Sequence, residues 1–171
     1  MIVNHEHKFI FIRPTRCGTM SILQALRDHI DPDIKPTKTG INHPTATLGR
    51  NHLCDEEMWQ SYYKFMPVRN PWAWWVSVWW RAKASGHTDE DFSDFLREPP
   101  YDKMDNMHGE CPSVWGGHGV LPMDIEKMKQ HDLLFLANKP IPIERHSVGL
   151  HEHYSKYYTP ADKQIVAARN H

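Results

Sequence analysis

Residues 8–26, KFIFIRPTRCGTMSILQAL, constrain the fold more than any other stretch of the chain. Residues 8–13 are apolar and β-favouring, and Pro14 ends that run. Gly18 permits a sharp turn, and Thr19 and Ser21 stand where a helix would begin. The stretch predicts a buried strand, a tight loop and a helix over about residues 19–30. A helix that starts at the end of a parallel strand presents free backbone N–H groups and the positive end of its dipole. Arg16 adds a full charge there. This is the chemistry of an anion site, with phosphate the natural ligand. An ordinary βα turn has the same outline, so the stretch alone leaves both readings open.

The pattern then recurs. Residues 63–68, YKFMPV, read as a second strand, although Pro67 is unusual inside a central one. Arg69 and Asn70 follow, and Pro71 and Gly86 suit the start and end of the next helix. Five tryptophans in that helix, at 72, 74, 75, 79 and 80, cannot share one side, so most belong to the core or border a cleft. DLLFLA at 132–137 reads as a third buried strand. Further helices are expected at 45–53, 55–62 (with Asp55 as N-cap), 89–97, 122–130, 145–157 and 160–170. Residues 30–45 and 98–119, rich in Pro and Gly, read as loops. Apolar strands alternating with helices predict an α/β fold, a parallel sheet covered by helices. Ligands of such sheets bind at the strand C-terminal ends, which sets the loops 14–19 and 69–71 side by side.

Bulk composition narrows the partners. A chain of 171 residues suits one domain, and 40% apolar and 24% charged residues are usual for a soluble protein. A net charge of −1 argues against nucleic-acid binding. No apolar run is long enough to span a bilayer, and with Met1 running almost directly into the first strand no signal peptide is expected. Cys17, Cys54 and Cys111 form neither a disulfide framework nor a zinc motif, so a reducing, cytoplasmic setting is expected. Thirteen histidines include the pairs His5/His7 and His151/His153, but without companion ligands no metal site is expected.

Four segments carry a family resemblance. PTRCGTMSI after a strand resembles the 5′-phosphosulfate loop of sulfotransferases that use 3′-phosphoadenosine 5′-phosphosulfate (PAPS). VRNPWAWWVSVWW resembles their 3′-phosphate motif VRNP-x-x-R-x-x-S, with Arg69 and Ser77 at the family spacing and Trp74 in place of the second Arg. NHPTA at 42–46 resembles the His-x-Thr-Ala segment of small carbohydrate sulfotransferases, and HEHYSKYYTPADKQIVAA resembles the family's late YYT helix. The resemblance implies a three-layer, P-loop-NTPase-like parallel sheet flanked by helices, in a single domain over residues 1–171. It implies PAPS as cofactor, adenosine 3′,5′-bisphosphate as product, no metal, and an acceptor hydroxyl, that of a carbohydrate.

The implied roles follow the motifs. The backbone of Cys17, Gly18, Thr19 and Met20, with the Thr19 hydroxyl, cradles the 5′-phosphosulfate. Arg16 stabilises charge on the departing phosphate, unless the register places Thr15 at the family's basic position. Arg69 and Ser77 take the 3′-phosphate. His43 is the candidate base, as imidazole suits proton abstraction near neutral pH; His52, Glu56 and Glu57 are alternatives. Lys35 and Lys38 are either holders of an anionic acceptor or solvated loop lysines, residues 113–119 line the acceptor or the cofactor by position, and Trp72, Trp74 and Trp75 either stack on a ring or pack in the core. Two other functions fit the outline. One is a P-loop-type nucleotide kinase, although GxxxxGK[ST] is absent. The other is a catalytically degenerate sulfotransferase-fold binding module.

Overall fold

A computed structural model describes residues 1–29, 43, 45–99, 120–124 and 151–169. Among these, four strands form one open sheet in the order β1 (Ile2–Asn4), β2 (Phe9–Phe11), β3 (Tyr63–Val68) and β4 (Leu121–Asp124). β2, β3 and β4 run parallel, whereas β1 runs antiparallel to β2. The sheet is therefore mixed, which corrects the all-parallel expectation. The cause is local. Only residues 5–8 link β1 to β2, too few for a crossover, so a hairpin is the available connection. Asn4 Oδ1 accepts from the His7 N–H at 2.6 Å, and Lys8 closes the turn at φ +50°.

Helices cover both faces. Phe9, Phe11 and Phe65 face one way and pack on Ile22, Leu23, Ala25 and Leu26 of α1 (Thr19–His29). Ile10, Ile12 and Met66 face the other way, onto Ala46 of α2 (Ala46–His52) and Trp59 of α3 (Glu56–Ser61). This is the period-two alternation of a strand buried on both sides. Thr45 caps α2 and Asp55 caps α3, each accepting an N–H from the helix's first turn.

α4 (Pro71–Ala84) follows β3. Asn70 Oδ1 accepts the N–H groups of Trp72 and Ala73, Pro71 occupies the first turn, and Gly86 turns the chain at φ +68°. Trp74, Trp75 and Trp79 bury themselves with Phe92, Phe95 and Leu96 of α5 (Phe92–Arg97) and Val166 of α6 (Pro160–Arg169). α6 opens with a reciprocal cap: Thr159 Oγ1 accepts from the Asp162 N–H at 3.3 Å, and the Thr159 N–H donates to Asp162 Oδ2 at 2.9 Å.

Pro67 lies inside β3 and is buried. The β2–β3 pairing ends at Phe11 and Phe65, so the missing N–H falls beyond the ladder. Two helix expectations are corrected. Of 122–130, the described residues continue β4, because β3 takes a second parallel partner there. Of 145–157, residues 151–153 are not helical and Tyr154–Lys156 form a single 3₁₀ turn. The expected strand 132–137, Lys35, Lys38, Cys111 and residues 113–119 lie outside the described residues. Among the described residues no helix is long and apolar enough to cross a membrane.

Candidate anion site at the sheet edge

The loop after β2 and the start of α4 meet at the C-terminal edge of the sheet. The φ sign alternates through Arg16 (+58°), Cys17, Gly18 (+70°) and Thr19, the pattern of a backbone nest whose N–H groups converge. Gly18 needs its missing Cβ for this, and Arg16 adopts it at a cost of about 1–2 kcal/mol. Such strain persists only where the surroundings hold it.

Three contacts from β3's end and α4 hold it. Arg16 Nε donates to Ser77 Oγ at 3.1 Å, Arg69 Nη1 donates to the Arg16 carbonyl at 3.2 Å, and Trp74 Nε1 donates to the Thr15 carbonyl at 2.9 Å. The Cys17 side chain, fully buried, anchors the loop from behind among the α4, α5 and α6 residues. Two loop carbonyls are thus tied back by donors. Among the described residues the N–H groups of Gly18, Thr19 and Met20 have no acceptor. The Gly18 carbonyl accepts from Ser21 and Ile22, which starts the helix behind them.

Burial pushes the Arg16 pKa down, and the positive charges of Arg69 and Arg81 push it further. Like charges held beside open N–H groups are features that suit an anion. Arg81 was not singled out from the sequence, yet it lies four residues beyond Ser77 on the same helix face.

The structure brings Thr15, Arg16, Cys17, Gly18, Thr19, Arg69 and Ser77 together. Ser77 is 2% exposed and its hydroxyl holds Arg16, so it serves the loop directly. Thr19 is buried, and Met20 is 50% exposed. Trp74 is structural: its ring is buried in edge contact with Trp75 and its N–H ties the loop. Trp72 is half-buried, its ring meeting Tyr158 edge-on while the Tyr158 hydroxyl donates to the Trp72 carbonyl.

His43 is half-buried, and its Nδ1 lies 2.7 Å from the Arg13 carbonyl. A carbonyl only accepts, so Nδ1 carries the proton and the Nε2 lone pair is left for another donor. Burial lowers the His43 pKa, only partly offset by that hydrogen bond, and keeps the ring neutral at pH 7. Glu56 is engaged by Arg50 at 2.8 Å. Comparison of the chain with protein-family models, curated proteins and solved structures finds no match.

Proposed function

We propose that the chain is a PAPS-dependent sulfotransferase acting on a hydroxyl, in keeping with the motif resemblance. One observation carries the reading: the two motif halves, far apart in sequence, meet through Arg16, Ser77, Arg69 and Trp74 beside loop N–H groups that have no acceptor among the described residues. These donors fit a ligand with two phosphate groups.

In this reading the N–H groups of Gly18, Thr19 and Met20 hold the 5′-phosphosulfate oxygens, and Arg69 takes the 3′-phosphate. PAPS supplies the sulfuryl group and the bisphosphate leaving group. Arg16, steadied by Ser77, faces the charge that develops on leaving. Its high pKa makes it a charge stabiliser, not a proton donor. His43 Nε2 takes the proton of the acceptor hydroxyl. The acceptor oxygen forms its bond to sulfur as the sulfur–oxygen bond to the phosphate breaks, an in-line displacement in which positioning and charge do most of the catalysis.

Calorimetric titration with adenosine 3′,5′-bisphosphate tests the reading. Binding that Arg69→Ala abolishes supports it. No heat at millimolar ligand sinks it, and tighter binding of ATP with magnesium points instead to a nucleotide kinase. Tight bisphosphate binding with no transfer to a broad acceptor panel identifies a degenerate binding module.

A further inference from the structure

A second buried guanidinium stands next to the site and belongs to neither motif. Arg13, two residues beyond β2, is 8% exposed. Its Nε makes no hydrogen bond, and its Nη2 reaches only the Met20 thioether at 3.8 Å. Among the described residues it has no carboxylate partner. A largely buried charge whose one partner among the described residues is a sulfur is costly to keep unless a ligand completes it.

The surroundings indicate where that ligand lies. Continuing the alternation of Phe9 and Phe11 carries Arg13 to the α1 face of the sheet. Met20 and Arg27 stand seven residues apart there, on one face of α1. Burial and then the Arg27 charge push the Arg13 pKa down, whereas Arg16 responds to Arg69 and Arg81. Two basic clusters therefore flank the loop, one toward α4 and one toward α1. Arg13 also links to the candidate base, because its carbonyl accepts from His43 Nδ1. One residue thus fixes the base through its backbone and offers a cation through its side chain.

We propose that Arg13 and Arg27 form an anion subsite for the acceptor, which is then a hydroxyl compound bearing a carboxylate or sulfate ester. This rests on the sulfotransferase reading for the word acceptor, but not for the subsite.

The test titrates the full chain with p-nitrophenyl β-D-glucuronide, p-nitrophenyl 6-O-sulfo-β-D-glucoside and the neutral p-nitrophenyl β-D-glucoside, with and without adenosine 3′,5′-bisphosphate. At least one anionic glycoside should bind about tenfold or more tightly than the neutral one, and the better of the two identifies the anion. Arg13→Met and Arg27→Gln should each erase the preference while bisphosphate affinity holds; if Arg13→Met does not fold, Arg27→Gln carries the test. Equal affinities, no binding of either anionic glycoside, or a preference that survives the substitutions overturns the proposal. Loss of bisphosphate binding in either variant also overturns it, by assigning that arginine to the cofactor. An arginine-dependent preference in a chain that ignores the bisphosphate sustains the subsite and removes the sulfotransferase reading instead.

Discussion

Replacing Arg69 with methionine separates a structural arginine from a ligand-binding one, because the first role shows in the Tm of the free protein and the second in the shift that a ligand adds. Among the contacts of Arg69 in the free protein is a neutral-acceptor hydrogen bond to the Arg16 carbonyl at 3.2 Å, worth about 0.5–1.5 kcal/mol. Against it stands repulsion with Arg16, whose pKa Arg69 depresses after burial has done so; between partly exposed guanidiniums this is on the order of 1 kcal/mol. The terms nearly cancel. For a chain of 171 residues, each kcal/mol moves Tm by roughly 2–4 °C. Arg69→Met should therefore leave the Tm of the free protein within about 3 °C of the parent. The ligand-bound state behaves differently. At a bisphosphate concentration of about 100 times Kd the parent gains about 2.7 kcal/mol. Loss of a bidentate phosphate contact weakens binding about 100-fold, leaving a gain of about 0.4 kcal/mol at that concentration. The stabilising shift should thus fall from roughly 5–10 °C to about 1 °C. Differential scanning fluorimetry with and without the bisphosphate reads both numbers. A Tm drop above about 6 °C in the free protein with the ligand shift intact would make Arg69 a structural tie and refute the reasoning.

Three further outcomes follow from other contacts. Trp74→Phe keeps the buried ring but removes the donor to the Thr15 carbonyl, so stability should fall by about 1–3 kcal/mol in denaturant titrations, and an unchanged midpoint would show that the tie is idle. The basic form of His43 is favoured by burial, so the acid limb of a kcat/KM profile should lie below pH 6.5 and vanish in His43→Gln. The same group contributes stability that is fully present above its unfolded pKa near 6.5 and is lost as pH falls toward the lowered folded value. For Asp162, burial pushes the carboxyl up, but hydrogen bonds from Thr159 and Ser93 outweigh it and hold the pKa below 3.8. Its stabilisation is therefore present above that pH and lost as pH falls through the folded value, so Asp162→Asn should flatten the acid-unfolding curve, and an unaltered curve would count against this.

The parts of the fold legible in the sequence are those with local causes. Pro14 and Gly18 mark the loop, Asn70-Pro71 and Gly86 bracket α4, and Thr159-Pro160 begins α6, all where expected. β1 escaped because its three residues carry no pattern of their own and gain order only by pairing with β2. Leu121–Asp124 escaped for a related reason: its strand state is set by an edge of β3 more than fifty positions earlier in the sequence. In the site, Arg16 stands out by its place in the loop and Arg69 and Ser77 by the motif resemblance, and the structure brings the three into contact. Arg13 does not stand out, because a basic residue closing an apolar run reads as a surface residue. Its burial depends on α1 folding back over the strand, which no local pattern encodes.

Trp74 shows how the loop and the charges are reconciled. A third guanidinium in its place, beside Arg16 and Arg69, would add a like charge at a position 1% exposed, where ionisation is most costly. The indole instead supplies one donor and no charge. It ties the Thr15 carbonyl away from the nest, and its ring contributes to the packing that holds α4 in place. The positive field is carried by Arg81, which is exposed and whose charge still reaches Arg16. A charge kept in solvent costs little before a ligand arrives and still attracts an anion. In the sulfotransferase reading, a tryptophan where the motif has its second arginine forgoes one phosphate contact and gains a preformed loop, whose ordering need not be paid for on binding. The arrangement favours an anion held chiefly by backbone N–H groups, with the side-chain cations steering it in.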